Sequence, residues 1–206
     1  MRCLTAIHCI AVRHLKRSLA ATFTLCAFFG IAGGQSPRTI EDYNNRGLER
    51  QNQGDIEGAI ADYSKAISLP GKPIELATAY NNRANVLLNR SDFDGAIADY
   101  TKAIELQPKN VENHYNRGVA FLTKGDFDRA IADFSQAIEI EPEFAMAFNN
   151  RGNARKAKGD LGGAITDYNR AIEIFPKLAA AYYNRGAAYQ TQGDANAALK
   201  NYSVAL

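Results

Sequence analysis

The sequence predicts an all-α protein that is built as a solenoid of five antiparallel helix pairs. A five-residue motif occurs five times, at intervals of 37, 34, 34 and 34 residues. It consists of an aromatic residue or histidine, a variable residue, Asn, Arg, and then Gly or Ala, and it begins at Tyr43, Tyr80, His114, Phe148 and Tyr182. Each unit also contains two stretches with helical periodicity. Helix pairs that recur at such an interval bury their apolar faces by stacking on their neighbours.

The third unit shows why each stretch is expected to be a helix. Its apolar residues recur at steps of three and four positions in one stretch and, after a short polar turn, in a second. They are Tyr115, Val119 and Leu122, followed by Ala130, Ile131, Phe134, Ala137 and Ile138. The unit therefore predicts two helices in succession.

The residues around the second stretch predict where the helices begin and end. Gly125 suits a left-handed conformation that closes the first helix. Asp126 can accept hydrogen bonds from the free amides at the start of the second helix. Pro142 is expected to stop that helix or to lie just past its end. A Gly-Asp or Ser-Asp pair stands at the same place in every unit.

A small residue stands in the middle of every first helix. Glycine inside a helix costs about 1 kcal/mol relative to alanine, so its recurrence at one position needs a physical reason. We expect a close approach of the two helices at this point. The residues are Gly47, Ala84, Gly118, Gly152 and Gly186.

Two features depart from the regular pattern. The first interval is 37 residues, and we expect residues 69–73 to lengthen the turn and to shift the second unit relative to the first. No further helix follows the fifth unit in the sequence, so Leu199, Tyr202 and Leu206 are expected to face water or a partner.

The fixed small and aromatic residues, the turns and the prolines together resemble the tetratricopeptide repeat family. The resemblance covers residues 40–206, with repeats at about 40–76, 77–110, 111–144, 145–178 and 179–206. It implies a right-handed superhelix in which the first helix of each unit lines a concave surface. It also implies a function in binding protein or peptide segments.

An arginine recurs in the first helix of each unit, and an acidic residue recurs in the second. A guanidinium group matches a carboxylate with two parallel hydrogen bonds, so we predict structural pairs that hold each helix pair in register. The alternative hypothesis is a ladder of arginines for anionic ligands. The predicted pairs are Arg46 with Asp62, Arg83 with Asp99, Arg117 with Asp133 and Arg151 with Asp167, while Arg185 faces Asn201 in the last unit.

An asparagine precedes each of these arginines: Asn45, Asn82, Asn116, Asn150 and Asn184. The family resemblance implies one role for them, because the arrays of O-linked N-acetylglucosamine transferases grip an extended peptide backbone with asparagines at this position. A carboxamide supplies both a donor and an acceptor, as a peptide unit requires. The alternative hypothesis is that these amides bond to the neighbouring unit.

The resemblance assigns further positions to the concave surface. These positions are apolar or aromatic in the middle of the array, at Leu88, Tyr115, Val119 and Leu122, and Lys156 is their only basic residue. We expect these side chains to contact a segment with a hydrophobic anchor. The lysine clamp with which chaperone-binding members hold a terminal carboxylate is absent.

Composition excludes several functional classes for the body of the protein. Residues 1–34 hold all three cysteines, four basic residues and no acid, which leaves 20 basic and 22 acidic residues in the body. A body without cysteine has no disulfide framework, Cys/His zinc site or cysteine nucleophile. A slightly negative body also argues against a nucleic-acid partner. His114 stands where other units have an aromatic residue, so we expect it to pack, and we expect no metal, cofactor or catalytic site.

Residues 1–34 have the composition of a secretory signal peptide. A basic segment at 13–17 precedes an apolar run at 18–31 and the small residues Ala32, Gly33 and Gly34. We predict cleavage after Ala32 or Gly34 and export to the periplasm or the outside of the cell. The alternative is an uncleaved membrane anchor at residues 18–34, which would be the chain's contact with a membrane.

The sequence therefore predicts an exported, non-catalytic scaffold that binds a peptide or protein segment on the concave face of the array. The alternative is a structural or assembly subunit that associates with another protein, or with a second copy, through its last repeat.

Overall fold

The computed structural model describes residues 38–205, which form ten α-helices and no strand. The helices are α1 (Ile40–Asn52), α2 (Ile56–Ser68), α3 (Pro73–Asn89), α4 (Phe93–Leu106), α5 (Val111–Lys124), α6 (Phe127–Ile140), α7 (Ala145–Ala157), α8 (Leu161–Ile174), α9 (Ala179–Gln192) and α10 (Ala195–Ala205). They form five consecutive pairs, so the predicted all-α solenoid is confirmed. The predicted leader, residues 1–34, lies outside the described residues.

The turn within each unit ends one helix and begins the next as predicted. Gly125 closes α5 in the left-handed region, with φ of 85°. Asp126 then caps α6 by accepting a hydrogen bond from the amide of Arg129. α6 ends at Ile140, before Pro142. The equivalent aspartates Asp55, Asp92, Asp160 and Asp194 accept from backbone amides in the same way.

The small residue of each first helix faces an aromatic ring of the second helix. A Cβ atom built on Gly118 would lie 2.8 Å from a ring carbon of Phe134, closer than such atoms approach one another. Gly47, Gly152 and Gly186 face tyrosine rings in the same way. In the second unit, Ala84 is fully buried in one cluster with Tyr100. The helices approach closely, as expected, and the aromatic ring explains why larger residues are absent.

The additional residues of the second unit form helix rather than a longer turn. α3 contains 17 residues, whereas α1 and α5 contain 13 and 14. Pro73 occupies the first turn of α3, where proline needs no backbone partner. The expected lengthening of the turn is therefore wrong, because residues 69–72 form a connection as long as those between the later units and the additional residues lengthen α3.

The packing between units defines an inner and an outer side of the array. Each helix packs against the next, and the odd-numbered helices also contact one another in consecutive units. Among residues 38–205, the backbones of consecutive even-numbered helices do not approach one another as closely. The array must therefore curve with α1, α3, α5, α7 and α9 on its concave side. We call the exposed face of these five helices the inner surface.

The last unit exposes apolar side chains on α10. Leu199 is 70% exposed and Val204 is 55% exposed. Tyr202, which was expected to face water or a partner, is half-buried, and its ring lies beside Gly186 and 5.4 Å from that of Tyr183. Leu206 lies outside the described residues.

Candidate functional site

The recurrent arginines and aspartates meet inside each unit. In the third unit, Nε of Arg117 donates to Oδ2 of Asp133 at 2.8 Å, and Nη2 donates to Oδ1 at 2.7 Å. The same bidentate arrangement joins Arg46 to Asp62, Arg83 to Asp99 and Arg151 to Asp167. In the fifth unit, Nε of Arg185 donates to Oδ1 of Asn201 at 2.8 Å.

The carboxylates of these pairs are buried inside the array, whereas the arginine side chains are partly exposed. The four aspartates are between 2% and 5% exposed. Hydrogen bonding to Asp99 raises the pKa of Arg83 above its usual value, as a charged pair should. Two of these carboxylates hold a second guanidinium group as well, since Arg50 also contacts Asp62 and Arg155 also contacts Asp167.

In the second to fifth units the arginine also bonds to the preceding unit through its third nitrogen. Nη1 of Arg117 donates to Oγ1 of Thr101 on α4 at 3.0 Å. The same nitrogen of Arg83, Arg151 and Arg185 donates to Ser64, Ser135 and Asn169. The sequence carries a signal for this contact outside the five-residue motif, because a hydroxyl or amide residue follows each paired residue by two positions. The arginine thus joins two units as well as two helices.

Two of the five recurrent asparagines bond to neighbouring side chains. Nδ2 of Asn184 donates to Oδ1 of Asn149 at 3.0 Å, and Nδ2 of Asn149 donates to Oδ1 of Asn150 at 3.1 Å. Nδ2 of Asn150 then donates to the hydroxyl of Tyr115 at 2.9 Å. This network links the last three units along the inner surface and uses both groups of the Asn150 amide.

The other three recurrent asparagines, Asn45, Asn82 and Asn116, do not take part in this network. Asn45 is exposed, and Asn82 and Asn116 are half-buried. Their side chains form no hydrogen bond with residues 38–205, in contrast to Asn150 and Asn184. Their donors and acceptors therefore remain available to a ligand.

A second set of inner amides is bonded to tyrosines of the second helices, of which Tyr63, Tyr100 and Tyr168 are fully buried. The tyrosine hydroxyl of the second helix donates to an asparagine or glutamine oxygen of the first helix. The pairs are Tyr63 with Gln51 at 3.1 Å, Tyr100 with Asn85 at 2.6 Å, Tyr168 with Asn153 at 2.8 Å and Tyr202 with Gln190 at 2.8 Å. The third unit has Phe134 in place of tyrosine, and the equivalent positions hold Val119 and Leu122. A carboxamide side chain that accepts this bond is therefore present only in the units whose second helix carries the tyrosine.

The predicted apolar positions lie together in the middle of the inner surface. Tyr115, Val119 and Leu122 pack half-buried against the cluster that contains Phe134 and Ala154. The Tyr115 ring lies 5.8 Å from that of Phe134, and burial raises the pKa of Tyr115 to about 12. Leu88 packs in the adjacent cluster, with Ala84 and Tyr100.

Lys156 lies half-buried near the end of α7. Burial lowers the pKa of its ammonium group, because partial desolvation disfavours the charged form. It makes no salt bridge with any residue in the described range, whereas the adjacent Arg155 contacts Asp167 at 2.9 Å. Of the predicted inner positions, this one alone carries a charge.

The remaining chemistry of the described range is limited. His114 is 7% exposed, and its Nε2 donates to the carbonyl of Pro108 at 2.9 Å. No group of three or more His, Cys, Asp or Glu side chains between residues 38 and 205 could hold a metal ion.

An open depression of about 390 Å³ lies at the turns, lined by Lys124, Gly125, Asp126, Phe127, Asp128 and Lys158. None of the ten helices is long and apolar enough to cross a bilayer.

Comparisons with solved structures place the fold among known arrays. A crystal structure of MamA matches with 25% identity and a TM-score of 0.71, over 77% of this chain and 91% of that one. YrrB, described as a TPR protein with an unusual peptide-binding site, matches with 24% identity and a TM-score of 0.66, over 80% and 83%. MamA 41-end from Desulfovibrio magneticus RS-1 matches with 17% identity and a TM-score of 0.74, over 81% and 92%. The last two likenesses concern the fold alone.

Family models match most of the array. A model described as tetratricopeptide repeat matches residues 44–111 and 81–145, and one described as TPR repeat matches residues 152–193. None of the curated proteins matches the chain in sequence. The two models and the arrangement of the helices agree, and the chain belongs to the tetratricopeptide repeat family.

Proposed function

We propose that the chain is a non-catalytic scaffold that holds an extended peptide or protein segment along its inner surface. The free carboxamides of Asn45, Asn82 and Asn116 carry this proposal. They occupy equivalent positions in consecutive units and form no hydrogen bond with other described residues. Each carboxamide can donate to a backbone carbonyl and accept from a backbone amide.

The middle of the inner surface adds an apolar contact. Val119 and Leu122 are half-buried and adjoin a core cluster, so a ligand side chain can complete their burial. The same fold in YrrB is described with a peptide-binding site, which makes the proposal compatible with the architecture. The Arg–Asp pairs serve the scaffold, since their carboxylates are buried and each pair joins the two helices of a unit.

Binding of N-acetylated, C-amidated random peptides tests the proposal. Each lost hydrogen bond weakens binding by about 0.5–1.5 kcal/mol, so the double variant Asn82→Ala/Asn116→Ala should bind about tenfold more weakly. The loss should be uniform across peptide sequences, because the amides contact the backbone. Asn196→Ala, at an exposed residue of α10, is the matched control. Unchanged binding by the double variant would contradict the proposed site.

A second candidate function is association through the last unit. The exposure of Leu199 and Val204, at 70% and 55%, favours it, because exposed apolar side chains on one helix suit a protein interface. Sedimentation of the full chain at several concentrations tests self-association. A strict monomer would remove a second copy as the partner, and Leu199→Glu should abolish any dimer.

We also propose that the array is exported, on the basis of residues 1–34. Their basic segment, apolar run and small residues have the order of a cleaved leader. Expression of the full chain in a bacterial host, followed by mass measurement, should show a new N-terminus at Gly33 or Gln35. An intact leader in the membrane fraction would instead indicate an anchor.

A further inference from the structure

Tyrosine hydroxyls fix the orientation of several carboxamide side chains on the inner surface. A tyrosine hydroxyl has one proton to donate, and only the oxygen of a carboxamide can accept it. The hydroxyls of Tyr100 and Tyr168 therefore hold the oxygens of Asn85 and Asn153 towards the core. The NH₂ group of each amide remains for a ligand. Gln51 and Gln190 are held in the same manner.

The fourth unit adds a cation to these donors. Lys156 follows Asn153 by three residues on α7, which places both on one face of the helix. It has no salt-bridge partner in the described range, whereas Lys124 and Lys158 bind Asp94 and Asp128. A partly desolvated ammonium group gains most from an anionic partner.

No acid lies beside this cation on the inner helices: the single acid of α5, Glu112, is in the first turn of that helix, whereas Lys156 lies near the end of α7. Neither α7 nor α9 contains an aspartate or glutamate. The carboxylate of Asp167 on α8 is 2% exposed and already binds Arg151 and Arg155. The inner surface of the fourth and fifth units is therefore complementary to negative charge.

An apolar site lies beside the cation. Leu122 and Lys156 occupy equivalent positions in consecutive units, and α5 and α7 contact one another. Val119, Leu122 and Ala154 belong to one packed cluster that joins the two helices. A ligand that contacts Lys156 can therefore also place a side chain against Val119 and Leu122.

We infer that the inner surface selects an acidic segment, in which an Asp or Glu side chain binds Lys156 and a nearby apolar side chain packs on Val119 and Leu122. This inference rests on the proposed function and specifies its ligand. The oriented amides of Asn85 and Asn153 donate to carbonyl or carboxylate oxygens of the same segment.

A peptide array separates this inference from the proposed function. The probes are N-acetylated, C-amidated random nonapeptides with a fixed central leucine, in which each other position carries Asp, Asn or Lys in turn. Only side-chain carboxylates are then offered. We expect the wild-type protein to prefer Asp over Asn by about tenfold at one or more positions, as a charge-assisted hydrogen bond allows. The preference should weaken as salt increases.

Substitutions at Lys156 test the assignment. Lys156→Gln should lose the preference for Asp and retain the binding of Asn peptides, and Lys156→Glu should shift the preference to Lys peptides. Lys65→Gln, which makes the same charge change at an exposed residue of α2, should keep the wild-type pattern. Circular dichroism checks that each variant folds.

The remaining outcomes overturn the inference in distinguishable ways. Peptide binding without discrimination between Asp and Asn, or discrimination that persists in Lys156→Gln, would refute the acidic ligand and leave the scaffold function in place. If the wild-type protein binds no peptide on the array, the proposed function fails, and the inference fails with it.

Discussion

The hydroxyl of Tyr168 donates a hydrogen bond of 2.8 Å to Oδ1 of Asn153. Tyr168 is fully buried, so its hydroxyl has no access to water. In the third unit both members of this pair differ together, since Phe134 and Val119 occupy the equivalent positions. Part of the polarity of the inner surface is therefore set by the needs of buried tyrosines, and only the remaining part is free for ligand recognition.

This relationship predicts a compensated pair of substitutions. Asn153→Val should destabilise the protein by about 1–3 kcal/mol, because the Tyr168 hydroxyl loses its acceptor. Tyr168→Phe/Asn153→Val should recover most of this loss, since it recreates the apolar combination of the third unit. Urea unfolding of the single and double variants measures the coupling. Equal stability of Asn153→Val and the double variant would contradict the relationship.

Charge reversal tests the role of the Arg–Asp pairs. Asp133→Lys should cost at least about 3 kcal/mol of stability, because it leaves Arg117 beside a second buried cation. Asp133→Asn should cost less, since Asn201 accepts from Arg185 in the last unit. Glu139→Lys, at an exposed residue of α6, controls for the charge change. Similar stability of the two lysine variants in urea unfolding would exclude a structural role.

Features that recur in every unit could be predicted from the sequence. Arg117 and Asp133 lie 16 residues apart, and their counterparts repeat that separation. A residue that occupies one place in every unit has the same neighbours in each. The fold, the turns and the pairing of these two positions follow from that regularity.

Hydrogen bonds whose partners differ from unit to unit could not be predicted in this way. Tyr168 binds Asn153, 15 residues earlier, whereas Tyr63 binds Gln51, 12 residues earlier. The longer glutamine reaches the hydroxyl from one helical turn further along, so no single position recurs. The bonds of Asn150 likewise depend on Tyr115 and Asn149, which are not repeated in all units. Only the packed side chains show which asparagines are free.

Ser91 is a site where the structure predicts a stabilising substitution. It has φ of 65° and occupies the place where the other units have glycine, with φ between 83° and 86°. The left-handed region costs a residue with a Cβ atom roughly 1–2 kcal/mol. Ser91→Gly should therefore stabilise the protein by about 1 kcal/mol, and Gly125→Ser should destabilise it by a similar amount. Opposite shifts of the urea midpoint are expected, and a lower midpoint for Ser91→Gly would contradict this explanation.

Asn113 is a second site of expected stabilisation. It is 1% exposed, and neither polar atom of its side chain finds a hydrogen-bond partner among residues 38–205. The equivalent residues Ala79, Ala147 and Ala181 are fully buried. Asn113→Ala should raise the free energy of unfolding by about 1 kcal/mol, because it removes an unsatisfied amide from the core.

Asn110 provides the matched control on the same helix. Its side chain caps α5 by accepting from the amide of Asn113. Asn110→Ala should therefore lower stability by about 1 kcal/mol. Thermal unfolding compares the two variants, and a destabilised Asn113→Ala would show that its amide has a partner after all.

The buried tyrosines also predict how stability depends on alkaline pH. Burial, with a smaller effect of the nearby Asp62 charge, raises the pKa of Tyr63 to about 12, from an ordinary value near 10. Between pH 10 and 12 the unfolded chain therefore loses this proton while the folded protein retains it. The stability contributed by the neutral tyrosine is complete below pH 10 and is lost as the pH rises, by up to about 1.4 kcal/mol per pH unit.

Tyr63→Phe removes this titration. The variant should be somewhat less stable than the wild type at pH 8, because Gln51 loses its bond to the hydroxyl. Its free energy of unfolding should then fall less steeply between pH 10 and 12, so that the two curves converge. Urea unfolding at pH 8, 10 and 11 measures both slopes. Parallel curves over this range would mean that the Tyr63 hydroxyl ionises equally in both states, and would contradict the raised pKa.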